Sequence, residues 1–351
     1  MHDVYSDMKS SQCSWLITGV AGFIGSNLLE TLLEMDQIVV GLDNLSTGYQ
    51  RNIDDALSSV SAKQKSNFTF IEGDICEPEA CITACQGIDI VLHQAALGSV
   101  PRSIKDPLAT NNTNITGFLN MLVAAKDAGI KRLVFAASSS TYGDHEVLPK
   151  VEDEIGNPLS PYAVTKLANE LYAKVFSDIY GIETIGLRYF NVFGKRQDPK
   201  GAYAAVIPKW IASILSSEPV HINGDGETSR DFCYIGNAVH ANLCAALTSN
   251  QQAINQVYNV AVGEKTSLNQ LYQLIIEEVK QYKNIEPMPP VYREFRSGDI
   301  RHSLADISKS QNLLGFSPCH SLKAGLAEAM SWYVEHLEGE KNLGGLDETH
   351  F

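Results

Sequence analysis

Basic charge is scarce in this sequence: 27 Lys and Arg stand against 41 Asp and Glu in 351 residues, a net charge of −14. That balance argues against a basic face for nucleic acid or for an anionic membrane, and leaves any anionic ligand to a few local Arg residues. Long apolar runs are missing as well. No stretch approaches a membrane span, and Met1 to Ser14 is polar and mixed in charge, without the apolar core of a signal peptide. A cytoplasmic protein is therefore expected. The cysteines, at positions 13, 76, 81, 85, 233, 244 and 319, form no CxxC pair, and no His cluster accompanies the helix-spaced Cys81 and Cys85. Reduced packing thiols are expected, and no metal site. Internal repeats are also absent.

What is present is an alternation of strand and helix. Trp15-Leu16-Ile17-Thr18 is a short apolar strand followed directly by glycines, and Asn27 to Glu34 carries Leu28, Leu29, Leu32 and Leu33 at helical spacing. Ile38 to Asp43 is a second strand, so the first forty residues form a βαβ unit with a parallel sheet. The rhythm continues through Phe68 to Ile71, Ile88 to His93, a helix over about 115–128, the strand Arg132 to Ala137, a helix over about 162–180 and the strand Thr184 to Tyr189. Strands that are apolar throughout fit a sheet covered on both faces. After Asn191 the rhythm breaks, and Gly, Pro and charged residues cluster through Gly224-Asp225-Gly226. The expected fold is α/β: a Rossmann-type doubly wound parallel sheet with a smaller α/β lobe. The first domain spans 15–190, joined by returning segments near 231–262; the smaller lobe takes 191–230 and 263–337, with tails at 1–14 and 338–351. Tyr258 to Val262 reads as a strand returning to either lobe.

Two motifs carry chemistry. Gly19, Gly22 and Gly25 follow a strand and open a helix, where backbone N–H groups can approach a pyrophosphate. Asp43 ends the next strand, 24 residues after Gly19. Its carboxylate can accept from ribose hydroxyls and would repel a 2′-phosphate; with Asn44 rather than Arg following, NAD is favoured over NADP. Asp74, at the end of the third strand, is positioned for the adenine edge. The second motif is Tyr162-Ala163-Val164-Thr165-Lys166. Four residues apart on a helix, the phenol and ammonium share a face, and a nearby cation lowers a Tyr pKa toward that of a useful base. Ser138, after the strand 132–137, lies at the carboxyl end of the sheet, where its hydroxyl can share a hydrogen bond between a substrate oxygen and Tyr162. Ser139 and Ser140 are weaker candidates in the same loop. Together the motifs read as redox chemistry at a carbinol. Arg230 and Arg296, in the smaller lobe, are candidates for a diphosphate.

With these residues, over about 14–337, the chain resembles the extended short-chain dehydrogenase/reductase superfamily, and within it the UDP-N-acetylglucosamine 4-epimerases of bacterial surface-polysaccharide pathways. The resemblance implies that Ser138, Tyr162 and Lys166 are catalytic, with Lys166 anchoring the nicotinamide ribose. It implies a cofactor site from Gly19, Gly22, Phe23, Ile24, Gly25, Asp43, Asn44, Ser46, Thr47, Gly48, Asp74, Ile75, Gln94, Ala95, Ala96, Asn114 and Phe190. A UDP-sugar site is implied from Gly98, Ser99, Ser138, Ser139, Ser140, Asn191, Val206, Asn223, Arg230, Arg296, Asp299 and Ser303. The related 4,6-dehydratases carry an Asp-Glu pair where this chain has Ser139 and Ser140, so dehydration is disfavoured. Ser303 stands where epimerases restricted to non-acetylated sugars carry a bulky Tyr, and Gly98 where those often carry Lys. A small residue at 303 leaves room for a 2-acetamido group. The resemblance thus implies NAD-dependent interconversion of UDP-N-acetylglucosamine and UDP-N-acetylgalactosamine through a 4-keto sugar, in a homodimer paired through the helices near 115–128 and 162–180. Two alternatives stay open: 4-epimerisation of UDP-N-acetyl-hexuronic acids, with Arg102 against the carboxylate, and a non-catalytic NAD-binding regulator.

Overall fold

In the computed structural model, which describes residues 4–199, 205–295 and 300–343, seven strands form one parallel sheet. They are β1 (Ser14–Thr18), β2 (Ile38–Asp43), β3 (Phe68–Glu72), β4 (Ile90–His93), β5 (Arg132–Ser138), β6 (Glu183–Tyr189) and β7 (Gln256–Val260). Their order across the sheet is β3-β2-β1-β4-β5-β6-β7. The chain starts in the middle, winds to one edge, then returns to wind to the other. The crevice between the carboxyl ends of β1 and β4 is therefore the topological switch point, where such sheets bind ligands. Every residue of β4 and β5 is buried, as their unbroken apolar reading requires.

The longer helices are α1 (Phe23–Glu34), α2 (Phe118–Asp127), α3 (Pro161–Tyr180), α4 (Val206–Leu215), α5 (Ile235–Leu247), α6 (Leu268–Tyr282) and α7 (Leu322–Leu343). The boundaries of α3 follow from local chemistry. Ser160 caps its first turn by accepting from Ala163 N at 3.1 Å, Pro161 begins it, and Gly181 closes it in a left-handed conformation, φ +75°.

The helix expected over 115–128 is in fact two pieces. A π-helical turn, Asn112–Gly117, runs into α2. The wider turn lets Asn114 face Leu97: its Oδ1 accepts from Leu97 N at 2.8 Å, and its Nδ2 donates to Leu97 O at 3.2 Å and to Thr165 Oγ1 at 3.0 Å. Such turns concentrate at functional sites, and this one joins the loop after β4 to the Tyr162 helix.

Two further differences concern the ends of the chain. Residues 4–10 form a helix whose Val4 and Met8 are buried, so the expected amino-terminal tail packs on the body. At the other end, α7 runs on to Leu343. Cys319 is exposed, unlike the packing thiols Cys81, Cys85, Cys233 and Cys244. The strand read at 258–262 is β7, beginning at Gln256 and pairing with β6 in the main sheet.

The smaller lobe is built on short pairings. His221–Asn223 lies parallel to Val291–Arg293, and Ser229–Arg230 antiparallel to Thr266–Ser267. One buried carboxylate ties its segments together. Asp231 Oδ1 accepts from Val262 N at 3.0 Å, while Oδ2 accepts from Gly263 N at 3.0 Å and Ala305 N at 3.3 Å. Burial raises its pKa to about 6 against the pull of those three amides.

Candidate active site

The cofactor cleft is made by the turn after β1. Gly19 has φ +71°, and a Cβ there would meet Ala95 N at 2.7 Å; a Cβ on Gly25 would overlap the Gly19 carbonyl oxygen. The turn thus has room for backbone only. Gly22 caps α1 without a side chain, so the first N–H groups of the helix are left for a ligand. Phe23 and Ile24 occupy that first turn, half-buried. Asp43 closes the cleft at the end of β2, its Oδ2 accepting from Ala21 N at 2.9 Å and its Oδ1 from Leu45 N at 2.8 Å. Burial raises its pKa against those bonds. Asn44 donates to Asp74 Oδ2 at 2.8 Å, and Asp74 Oδ1 accepts from Cys76 N at 2.8 Å. Burial pushes the Asp74 carboxyl up, but these donors together hold it below its ordinary value.

Ser46, Thr47, Gly48, Ile75, Gln94, Ala95 and Ala96 share the cleft wall with Asp43 and Asp74. Gly73 and Thr113 also line it and were not anticipated. A cleft admitting only backbone at one end and offering carboxylates at the other fits a dinucleotide. Phe190 does not line it. The ring is fully buried, 5.9 Å from that of Tyr142, in a small apolar cluster with Ala261 and Ala305 beneath the Ser138 loop. Gln94 is on the wall, but its carboxamide is engaged elsewhere. It donates to Asn242 Oδ1 at 3.1 Å, Asn242 donates to Tyr189 Oη at 2.8 Å, and Tyr189 donates back to Gln94 Oε1 at 3.1 Å.

Beyond the cleft lie Ser138, Tyr162 and Lys166. Ser138 is the last residue of β5, and Tyr162 and Lys166 stand on the first turns of α3. Lys166 is only 2% exposed; its Nζ donates to Ala136 O at 2.7 Å and lies 5.9 Å from the centre of the Tyr162 ring. Burial lowers the Lys166 pKa to about 8, with the Glu170 carboxylate opposing. The expectation that the ammonium lowers the Tyr162 pKa needs correction. Burial holds that phenol above its ordinary value, and the group pulling it down is Ser138, through a hydrogen bond. The four-residue spacing does put the two side chains on one face, but the ammonium is committed to a strand carbonyl.

A second cavity, of about 460 Å³, opens in the smaller lobe and includes Asn191, Val206, Asn223 and Arg230 on its wall. Arg296 and Asp299 lie outside the described residues. Sequence reasoning missed Arg301 and Phe295, which also line this cavity; the Arg301 guanidinium sits 5.3 Å from the Phe295 ring centre and pairs with Asp225 at 2.6 Å. Arg301 lies in the 299–303 stretch already singled out for Ser303, which was its one available signal. Ser303 itself does not line this cavity; its amide donates to Ser229 O at 3.1 Å, beside Arg230. Near the sheet, Ser99 has a strained φ of +103° and caps the helix Val100–Lys105, accepting from Arg102 N at 3.2 Å. A Cβ on neighbouring Gly98 would meet nothing within 4 Å.

Sheet order and glycine turn define a dinucleotide-binding α/β protein, with Ser138, Tyr162 and Lys166 as candidate catalytic side chains at the end of its sheet. More narrowly, the chain belongs to the NAD dependent epimerase/dehydratase family, whose model matches residues 15–261. Its cofactor is NAD. The chain is 35% identical over 325 residues to a putative UDP-glucose 4-epimerase of Methanocaldococcus jannaschii, covering 90% of this chain and 97% of that protein. Among solved structures, a UDP-N-acetylglucosamine 4-epimerase from Methanobrevibacter ruminantium M1, in complex with UDP-N-acetylmuramic acid, is 38% identical with a TM-score of 0.84, covering 93% of this chain and 99% of that one. A UDP-glucuronic acid 4-epimerase from Bacillus cereus, in complex with UDP-glucuronic acid and NAD, is 32% identical with a TM-score of 0.80, covering 92% and 99%.

Proposed function

We propose that the protein is a UDP-sugar 4-epimerase whose substrate pair is UDP-N-acetylglucosamine and UDP-N-acetylgalactosamine. The observation that carries the reaction is the placement of Tyr162, on the first turn of α3, beside Ser138 at the carboxyl end of β5, one helical turn from a buried Lys166. When bound, NAD supplies a reversible hydride acceptor for C4 of the sugar. Tyr162, as phenolate, takes the proton from the sugar O4 and later returns one. Ser138 donates to the phenolate oxygen and lowers the cost of its charge. Lys166, held by Ala136 O, keeps a positive charge beneath the reacting groups.

The 4-keto sugar must turn to present its other face, so the nucleotide has to stay fixed while the sugar moves. Arg230 and Arg301, with Asn223 at the cavity wall, are suited to hold the uridine diphosphate, and the unlined space at Gly98 leaves the sugar room. The N-acetyl assignment is supported by the open space at Gly98 and by the likeness to a UDP-N-acetylglucosamine 4-epimerase; Ser303, which does not line the cavity, lends it no support from geometry. We also propose a homodimer. Val164, Leu171, Val175 and Ile179 make an exposed apolar stripe on α3, and Val123 is exposed on α2.

The test is to incubate the purified protein, without added cofactor, with UDP-N-acetylglucosamine and follow the C4 and anomeric protons by NMR. Appearance of UDP-N-acetylgalactosamine without net NADH is expected. Turnover of the hexuronic acid analogue alone would move the substrate assignment. Tyr162→Phe should lose most of the rate, on the order of 100-fold or more for a general base, while still binding NAD and substrate. Near-normal rate in that variant would overturn the mechanism.

A further inference from the structure

The loop that follows β5 fixes the direction in which Ser138 can use its hydroxyl. A serine hydroxyl has one proton to give and two lone pairs to receive with. Ser138 Oγ receives twice from the same residue: from Ser140 N at 3.2 Å and from Ser140 Oγ at 2.9 Å. The loop holds this arrangement firmly. Ser139–Tyr142 is a turn of 3₁₀-helix capped by Ser138, Thr141 Oγ1 donates to Ser138 O at 2.8 Å, and Gly143 N donates to Ser140 O at 3.1 Å. With both lone pairs occupied, the only feature Ser138 has left is its own proton, and the first turn of α3, which packs against this loop, brings the Tyr162 phenol beside it.

We propose that Ser140 is a positioning residue: its N–H and O–H together fill the acceptor side of Ser138, so that the Ser138 proton is directed at the Tyr162 oxygen. The chain then runs one way, from Ser140 through Ser138 to Tyr162, each bond polarising the next. A donor aimed at the phenol oxygen favours phenolate, the form that acts as base; an acceptor there would favour the neutral phenol. Without the Ser140 hydroxyl, Ser138 regains a lone pair, can rotate, and can accept from neutral Tyr162 instead. This assigns Ser140 a task other than touching substrate, and only its rate consequence rests on the epimerase reading.

The experiment uses the NAD-loaded protein. Tyrosinate absorbance is titrated in the wild type, Ser140→Ala, Ser140→Cys and Ser140→Thr; subtracting the Tyr162→Phe protein isolates the Tyr162 signal. Ser140→Ala should move the Tyr162 midpoint up by about one pH unit. Its kcat should fall about tenfold below the new midpoint and recover above it, with KM within about twofold. Ser140→Thr, which keeps the hydroxyl, should stay near wild type. Ser140→Cys, a poor donor of similar size, should shift in the same direction as Ala and serves if the Ala protein does not fold. An unmoved midpoint would overturn the proposal, as would a rise in KM alone or a fall in kcat equal at every pH. If the wild type turns over no UDP-sugar, the functional reading has failed, and the absorbance titration still decides the role of Ser140.

Discussion

Asp43 holds its loop and faces the cleft proposed for NAD. Both of its oxygens already accept backbone N–H groups, from Ala21 and Leu45, so it shapes the cleft as well as facing it. Asp43→Ala should therefore do two things. NAD affinity should fall more than NADP affinity, measured by titration calorimetry on stripped protein, and thermal stability should drop because two amides lose their acceptor, a cost of about 1–3 kcal/mol for each group left buried and unpaired. A stability loss with unchanged NAD/NADP preference would mean that Asp43 serves the loop alone. Gly19, Asp43, Tyr162 and Lys166 were legible because each sits at a fixed offset from a strand or helix recognisable in the sequence. Asp231 and Arg301 were not, because their partners lie as far away as residues 305 and 225, and no local pattern announces such pairs.

Among the elements, Asp231 joins the segment after the short Ser229–Arg230 strand to Val262, Gly263 and Ala305. Its carboxyl titrates near 6 in the fold, against 3.8 as its ordinary value, and burial is the main cause. Between those two values the folded state binds more protons than the unfolded one, so this group adds stability as pH falls from about 6 toward 4 and withdraws it as pH rises. The expected outcome is that this increment vanishes in Asp231→Asn when melting temperatures are compared from pH 7 to pH 5. The variant should also be less stable throughout, since an amide NH₂ would face backbone donors. The same slope in both proteins would assign the effect to another group. Element types were readable from periodicity, but the π-turn at Asn112–Gly117 was not: nothing in its composition separates it from the helix it enters, and only the Asn114–Leu97 pairing explains it.

For the whole molecule, the exposed stripe of α3 bears on assembly. Leu171 and Ile179 are 62% and 66% exposed, and both leave water if two copies pair along α3. Leu171→Asp with Ile179→Asp should convert a dimer to a monomer in analytical ultracentrifugation. A wild-type protein that already sediments as a monomer would end the pairing proposal. The doubly wound parallel sheet was legible from alternation and handedness; whether a helix face meets a second copy was not, because an apolar stripe on a helix reads the same whether it faces a core or a partner. The triangle of Gln94, Tyr189 and Asn242 has a consequence of another kind. Each member gives one bond to the next and takes one from the last, so the ring has a sense of circulation, and a change at one corner breaks bonds to both of the others. Gln94→Glu, Tyr189→Phe and the pair together should thus cost nearly the same in urea unfolding, strongly non-additive across residues 95 apart in sequence. Three positions bound in this way are expected to change together, since an exchange at one corner leaves a buried polar group stranded at the next.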